Sequence, residues 1–110
     1  MDYEIEYYSE EVEEQILALP DALAARYVVL TRRMAALGAN LGPPHTDSFG
    51  DGLFELRLKA AEGIARVFFC TLVGRRIMML HSFIKKSQKT PPREIEVARK
   101  RMKEVKHANS

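Results

Sequence analysis

Leu53-Phe54-Glu55-Leu56-Arg57-Leu58-Lys59 opens the stretch that decides the fold, which runs on to Ile84. Phe54, Leu56 and Leu58 fall on one side and Glu55, Arg57 and Lys59 on the other, the period of two of a half-buried strand. Glu62-Gly63 supplies a turn, and Gly63–Leu72, rich in Val, Ile and Phe, predicts a second strand. Val73-Gly74-Arg75 makes the next turn, and Arg76–Ile84 predicts a third strand. Three successive strands with short connections predict an antiparallel meander.

Upstream, residues 2–8 alternate: Tyr3, Ile5 and Tyr7 share one side and Glu4 and Glu6 the other, which predicts a further strand. Ser9 is placed to cap a helix whose first turn carries Glu10 and Glu11, matched to the positive end of the dipole. Val12, Ile16 and Leu19 lie close to one face of it. Pro20 resets the chain, and Leu23, Tyr27, Leu30, Met34 and Leu37 predict a second helix ending at Gly38. In so small a domain this stripe reads as core rather than as a partner surface. Residues 38–52 are predicted as loop, because Gly and Pro recur there; His45, without metal-type ligands at a usable spacing, reads as an ordinary exposed histidine.

Downstream, Thr90 caps a last helix with Pro91 near its start and Ile95, Ala98, Met102 and Val105 as its apolar stripe; the tail after Lys106 is expected to fray. The order is β-α-α-β-β-β-α within one domain, residues 1–110. The fold class is α+β: a small antiparallel sheet with an N-terminal helical hairpin and a C-terminal helix, the helices on one face and the other face free for function.

Of 110 residues, 46% are hydrophobic, enough for a core and against general disorder. One cysteine, Cys70, excludes an internal disulfide framework and fits a reducing compartment. The apolar stretch Val67–Val73 is too short to cross a bilayer, and the acidic start is not a secretory leader, so a cytoplasmic location away from membranes is expected. Residues 1–24 carry eight acids and no Lys or Arg, whereas the rest of the chain holds all seventeen bases. Such segregation fits either an electrostatic role toward nucleic acid or an acidic partner, or a surface that compensates itself.

Alternation gathers Arg57, Lys59 and Arg66 on the side of the sheet away from Phe54, Leu56 and Leu58. On the third strand His81 and Phe83 share a parity opposite to Met78, Leu80 and Ile84, and Lys85, Lys86 and Lys89 follow as the chain leaves the sheet. This composition suits RNA. Arg57, Arg66, Lys59 and Lys89 are placed to neutralise phosphates, and Phe83 to stack on an unpaired base. Clustered cations stabilise the added charge of a phosphorane-like transition state. His81 exchanges protons near neutral pH, and a lysine does so where burial or neighbouring cations depress its pKa. A solvated basic sheet face is the plainer reading of the same pattern. No phosphate-cradling Gly-x-x-x-x-Gly-Lys-Ser/Thr loop and no zinc-type Cys/His spacing occur. Cys70 reads as a packed small side chain, and Glu55 as the neutraliser of a neighbouring Arg or Lys rather than a proton acceptor.

Three runs taken together resemble the phage-associated HigB branch of the RelE/ParE toxin superfamily, over essentially the whole chain. They are Leu53-Phe54-Glu55-Leu56-Arg57, Gly63-Ile64-Ala65-Arg66-Val67-Phe68-Phe69, and Leu80-His81-Ser82-Phe83-Ile84-Lys85-Lys86-Ser87-Gln88-Lys89-Thr90-Pro91. The resemblance implies a RelE-like fold and a type II toxin that cleaves messenger RNA, commonly in the ribosomal A site, with no metal or other cofactor. The substrate's own 2′-hydroxyl then attacks the adjacent phosphate, leaving the protein to position RNA and manage protons and charge. It implies phosphate positioning and transition-state stabilisation for Arg57 and Arg66, and RNA gripping or proton transfer for Lys85 and Lys86. His81 and Phe83 fall where the superfamily places proton-transfer or stacking groups. The implied partner is a helix-turn-helix, HigA-like antitoxin. The same fold also serves gyrase-inhibiting toxins of the ParE kind, and an inactive relative that only binds antitoxin would share the pattern.

Overall fold

Glu4–Tyr7 form β1, and Ser9 follows as the cap of α1, Glu10–Leu17: its Oγ accepts the Val12 N–H at 3.2 Å. Pro20 precedes α2, Asp21–Leu37, which stops at Gly38. The φ of 115° at Gly38 belongs to a residue without Cβ. Then come β2, Thr46–Gly50; β3, Leu53–Ala60; β4, Gly63–Leu72; β5, Arg76–Ile84; and α3, Pro92–Ala108. The computed structural model describes residues 2–86 and 89–109. Among them, no helix is long and apolar enough to cross a membrane.

The α+β class and the predicted order stand, with one strand added. The segment expected to be all loop contains β2, which pairs antiparallel with β3, Thr46 opposite Leu56 and Ser48 opposite Phe54. Its own side chains give little reason to extend. The Thr46 hydroxyl, buried, accepts the Gly42 N–H and donates to Asn40 Oδ1, fixing the loop so that its backbone meets the edge of β3. The last helix also departs from expectation. Pro91, not Thr90, is its N-cap residue, without a side-chain cap, and the helix continues past Lys106 to Ala108.

The strand order is β1-β5-β4-β3-β2, and β1 runs parallel to β5, so the sheet is mixed rather than antiparallel. Alternation in the sequence assigns faces but not direction; the two helices after β1 carry the chain away before the meander begins. The β1–β5 edge is tied by a forked ion pair, Arg76 Nε to Glu6 Oε2 at 2.8 Å and Arg76 Nη2 to Glu6 Oε1 at 2.9 Å. Hydrogen bonding from Arg76 holds the Glu6 carboxyl below the usual carboxylate range. Its contribution to stability is therefore present above about pH 4.3, the ordinary glutamate value, and is lost as pH falls through the lowered pKa of the folded state. Glu6→Gln is expected to melt below the wild type at pH 7 and together with it at pH 2, as followed by circular dichroism.

Helices cover both faces, not one. The α1–α2 hairpin sets Val12, Ile16, Leu23, Tyr27, Leu30 and Met34 against Leu56, Leu58, Val67, Phe69, Ile77 and Met79. On the other face α3 sets Ala98 and Met102 against Leu53, Phe68, Cys70, Leu72, Met78 and Leu80. The apolar stripe of α3 needs its own surface, because the first face is already occupied. The face expected to be free is thus open only where charged residues replace apolar ones, around Arg57 and Lys59.

A bulge sets what reaches that opening. Phe69 pairs with Met79 and Phe68 with His81, leaving Leu80 as an extra residue on β5. Strict alternation therefore fails at Leu80. Met78 and Leu80 join the α3-side cluster, and Phe83 packs against the same cluster, contrary to the opposite parity expected from the sequence.

Candidate functional site

Arg57 and Arg66 stand directly opposite each other on β3 and β4. Two guanidinium groups so placed repel, and the chain resolves this with Glu55, two residues earlier on the same face of β3. Glu55 is only 2% exposed. Its Oε2 lies 3.2 Å from Arg57 Nε and its Oε1 lies 3.1 Å from Arg66 Nε. The second contact lacks the alignment of a hydrogen bond and acts as an ion pair. Asp47 of β2 takes Arg57 Nη2 at 2.9 Å. Glu55 is thus the neutraliser its sequence position suggests. Arg66, expected outside the core, is buried. Burial lowers its pKa, opposed by the Glu55 charge, and a guanidinium in that setting stays protonated.

Lys85 extends the β5–β4 ladder: its N–H donates to Ile64 O at 2.8 Å. Burial and then the charge of Arg66 push its ammonium pKa down, against the opposing pull of Glu55. Phe83 pairs with Arg66 in register. Its ring stacks on Phe68, centroids 5.9 Å apart, and on His81 at 6.2 Å. His81 Nε2 lies 3.0 Å from Glu94 Oε1 of α3, while Nδ1 is enclosed with no hydrogen-bond partner among the described residues. The ring therefore ties β5 to the first turn of α3 and presents no free nitrogen at the surface. Lys59, Lys86 and Lys89 are exposed; Ser87 and Gln88, part of the same run, lie outside the described residues. Cys70 is buried, and burial pushes its thiol up to about 11, which suits packing rather than nucleophilic attack.

Beside the arginine pair a cleft of about 270 Å³ is lined by Arg26, Pro44, His45, Arg57, Lys59, Ile64 and Arg66. It forms where β2 begins: Thr46 is its first residue paired with β3, and just before it the Arg57 N–H donates to His45 O at 2.8 Å. His45 is half-buried in this wall rather than an ordinary exposed histidine. Arg26 arrives from α2, on the far side of the sheet. Neither was legible as a site residue, because the contact crosses a strand edge that no local spacing encodes. Among the described residues, no cluster of three or more His, Cys, Asp or Glu side chains is placed to hold a metal ion.

A five-stranded mixed sheet with a helical hairpin on one face and a terminal helix on the other is compatible with a small RelE-like fold. The sequence model of the phage-derived Gp49-like protein family (DUF891) matches residues 14–103, and the chain belongs to that family. The match runs from within α1 to within α3 and takes in every residue of the arginine site. The family is associated with the toxins of toxin–antitoxin systems. No curated protein matches the chain.

Proposed function

We propose that this protein is the toxin of a type II toxin–antitoxin pair, of the HigB-like branch of the RelE/ParE superfamily, and that it cleaves messenger RNA on the ribosome. The observation that carries the reading is the pair Arg57 and Arg66, fixed side by side on Glu55 at the open end of the sheet and continuous with a cationic cleft. Rigidly held guanidinium groups meet a phosphate without reorganising, which is where charge stabilisation is largest. In the reaction the 2′-oxygen forms a bond to phosphorus as the bond to the 5′-oxygen breaks. One proton leaves the 2′-hydroxyl and one reaches the departing 5′-oxygen. Lys85, its pKa depressed by burial and then by the charge of Arg66, is the group assigned to move a proton. Lys59, Lys86 and Lys89 grip the backbone, and Phe83 borders a base. His81, engaged on Glu94, positions α3 rather than exchanging protons. The partner in this reading is a HigA-like helix-turn-helix antitoxin whose acidic surface covers the cationic end.

Induction of the chain without its antitoxin is expected to stop protein synthesis before DNA replication. Mapped RNA ends should fall within translated messages and be absent from the same RNA without ribosomes. Replication arrest as the first effect would replace this reading with a gyrase-binding one. Normal growth with soluble protein present would leave an inactive relative.

A further inference from the structure

We propose that Arg26 of α2 and the His45 ring, with Lys59, form a second phosphate subsite that holds the nucleotide next to the scissile one. The inference rests on the RNA-cleaving reading above and adds to it residues from the other side of the sheet. The cleft joins the two places: Arg57 and Arg66 line it together with Arg26, Pro44 and His45. At about 270 Å³ it lies just below the small-ligand range that starts near 300 Å³, the scale of one nucleotide's sugar and phosphate rather than of an oligomer.

The charges within it are not equivalent. Arg57 and Arg66 already hold Glu55 and Asp47. No carboxylate of the described residues lies within ion-pair distance of Arg26 or Lys59. The cleft therefore has a compensated end, where geometry is fixed, and an uncompensated end that lacks an anion. A ribose-phosphate chain leaving the arginine pair around the free edge of β3 supplies one. Arg26 and His45 are positioning residues in this scheme: they anchor the neighbouring phosphate and touch no reacting atom.

The test compares wild type with Arg26→Ala, Arg26→Lys and His45→Ala, using a fluorescent single-stranded pentaribonucleotide over a salt series. Arg26→Ala is expected to weaken binding about tenfold at low salt. It should also make the slope of log affinity against log salt shallower by about 0.7, the loss of one phosphate contact. Arg26→Lys should recover the slope, and His45→Ala should weaken binding with the slope retained. If wild type does not bind the free oligonucleotide, the same variants are compared on message-programmed ribosomes. There Arg26→Ala should raise the half-saturating protein concentration about tenfold and leave the maximal cleavage rate within about twofold. A wild type that cleaves with an Arg26→Ala variant equal to it in slope and half-saturation overturns the subsite and leaves the cleavage reading standing. A wild type that neither binds nor cleaves RNA overturns both. Arg26 is exposed on a helix, so the substitution leaves the core intact; matched melting temperatures check this.

Discussion

Replacing Arg66 by alanine is expected to abolish the proposed RNA cleavage and to remove about 2–4 kcal/mol of stability together. From the sequence alone, Arg66 reads as a surface cation whose loss spares the fold. The structure changes that expectation. Glu55 is almost wholly buried between two guanidinium groups, and taking one away leaves a desolvated carboxylate held by Arg57 alone. A drop of roughly 10 °C in melting temperature corresponds to that loss in a chain of this size. The two effects separate in a double variant. Glu55→Gln placed on Arg66→Ala removes the stranded charge and should return most of the stability, while cleavage stays absent. A single Arg66→Ala variant that melts with the wild type would remove Arg66 from the structural pair, and one that cleaves normally would remove it from the phosphate site.

The second large effect is expected at Phe68. Its ring is fully buried. It stacks on Phe83, takes the edge of Phe49 at 5.4 Å, and lies between Glu55 and His81 in register. Phe68→Ala should cost about 3–5 kcal/mol in urea unfolding, a large part of the 5–15 kcal/mol typical of a whole domain. The loss concerns the core under α3, not the one under the helical hairpin. A cost below about 1 kcal/mol would contradict an independent second core on that face. Because Phe83 rests on Phe68, the variant should also loosen Phe83 beside Arg66, and cleavage by the remaining folded protein should fall.

Much of this architecture is written in the sequence, and the omissions have physical causes. Three meander strands, both hairpin helices and the Ser9 cap follow from side-chain period and capping chemistry, which are local. The adjacency of Arg57 and Arg66 is equally legible: both lie on strands joined by a tight turn at Glu62-Gly63, and parity puts them on the face that Glu55 shares. β2 is not legible, because Asp47, Ser48 and Gly50 have little preference for extension and the edge of β3 supplies the template. The parallel direction of β1 and the bulge at Leu80 escape for another reason. Alternation fixes faces, and one inserted residue reverses every assignment after it. Arg26 and His45 come together with Lys59 only across a sheet edge, so no spacing along the chain reports them.

The register of β1 on β5 has a consequence for when the folded protein exists at all. Glu4 aligns with Arg76 and Tyr7 with Met79, so the strand synthesised first has no partner until the last strand has been made. Such distant pairing delays completion of the sheet until β5 has been synthesised. A polypeptide that stops before Arg76 carries Arg57 and Arg66 but lacks the strand on which β1 pairs, so its sheet is incomplete. On the function proposed above, activity is deferred until β5 joins the two ends of the fold.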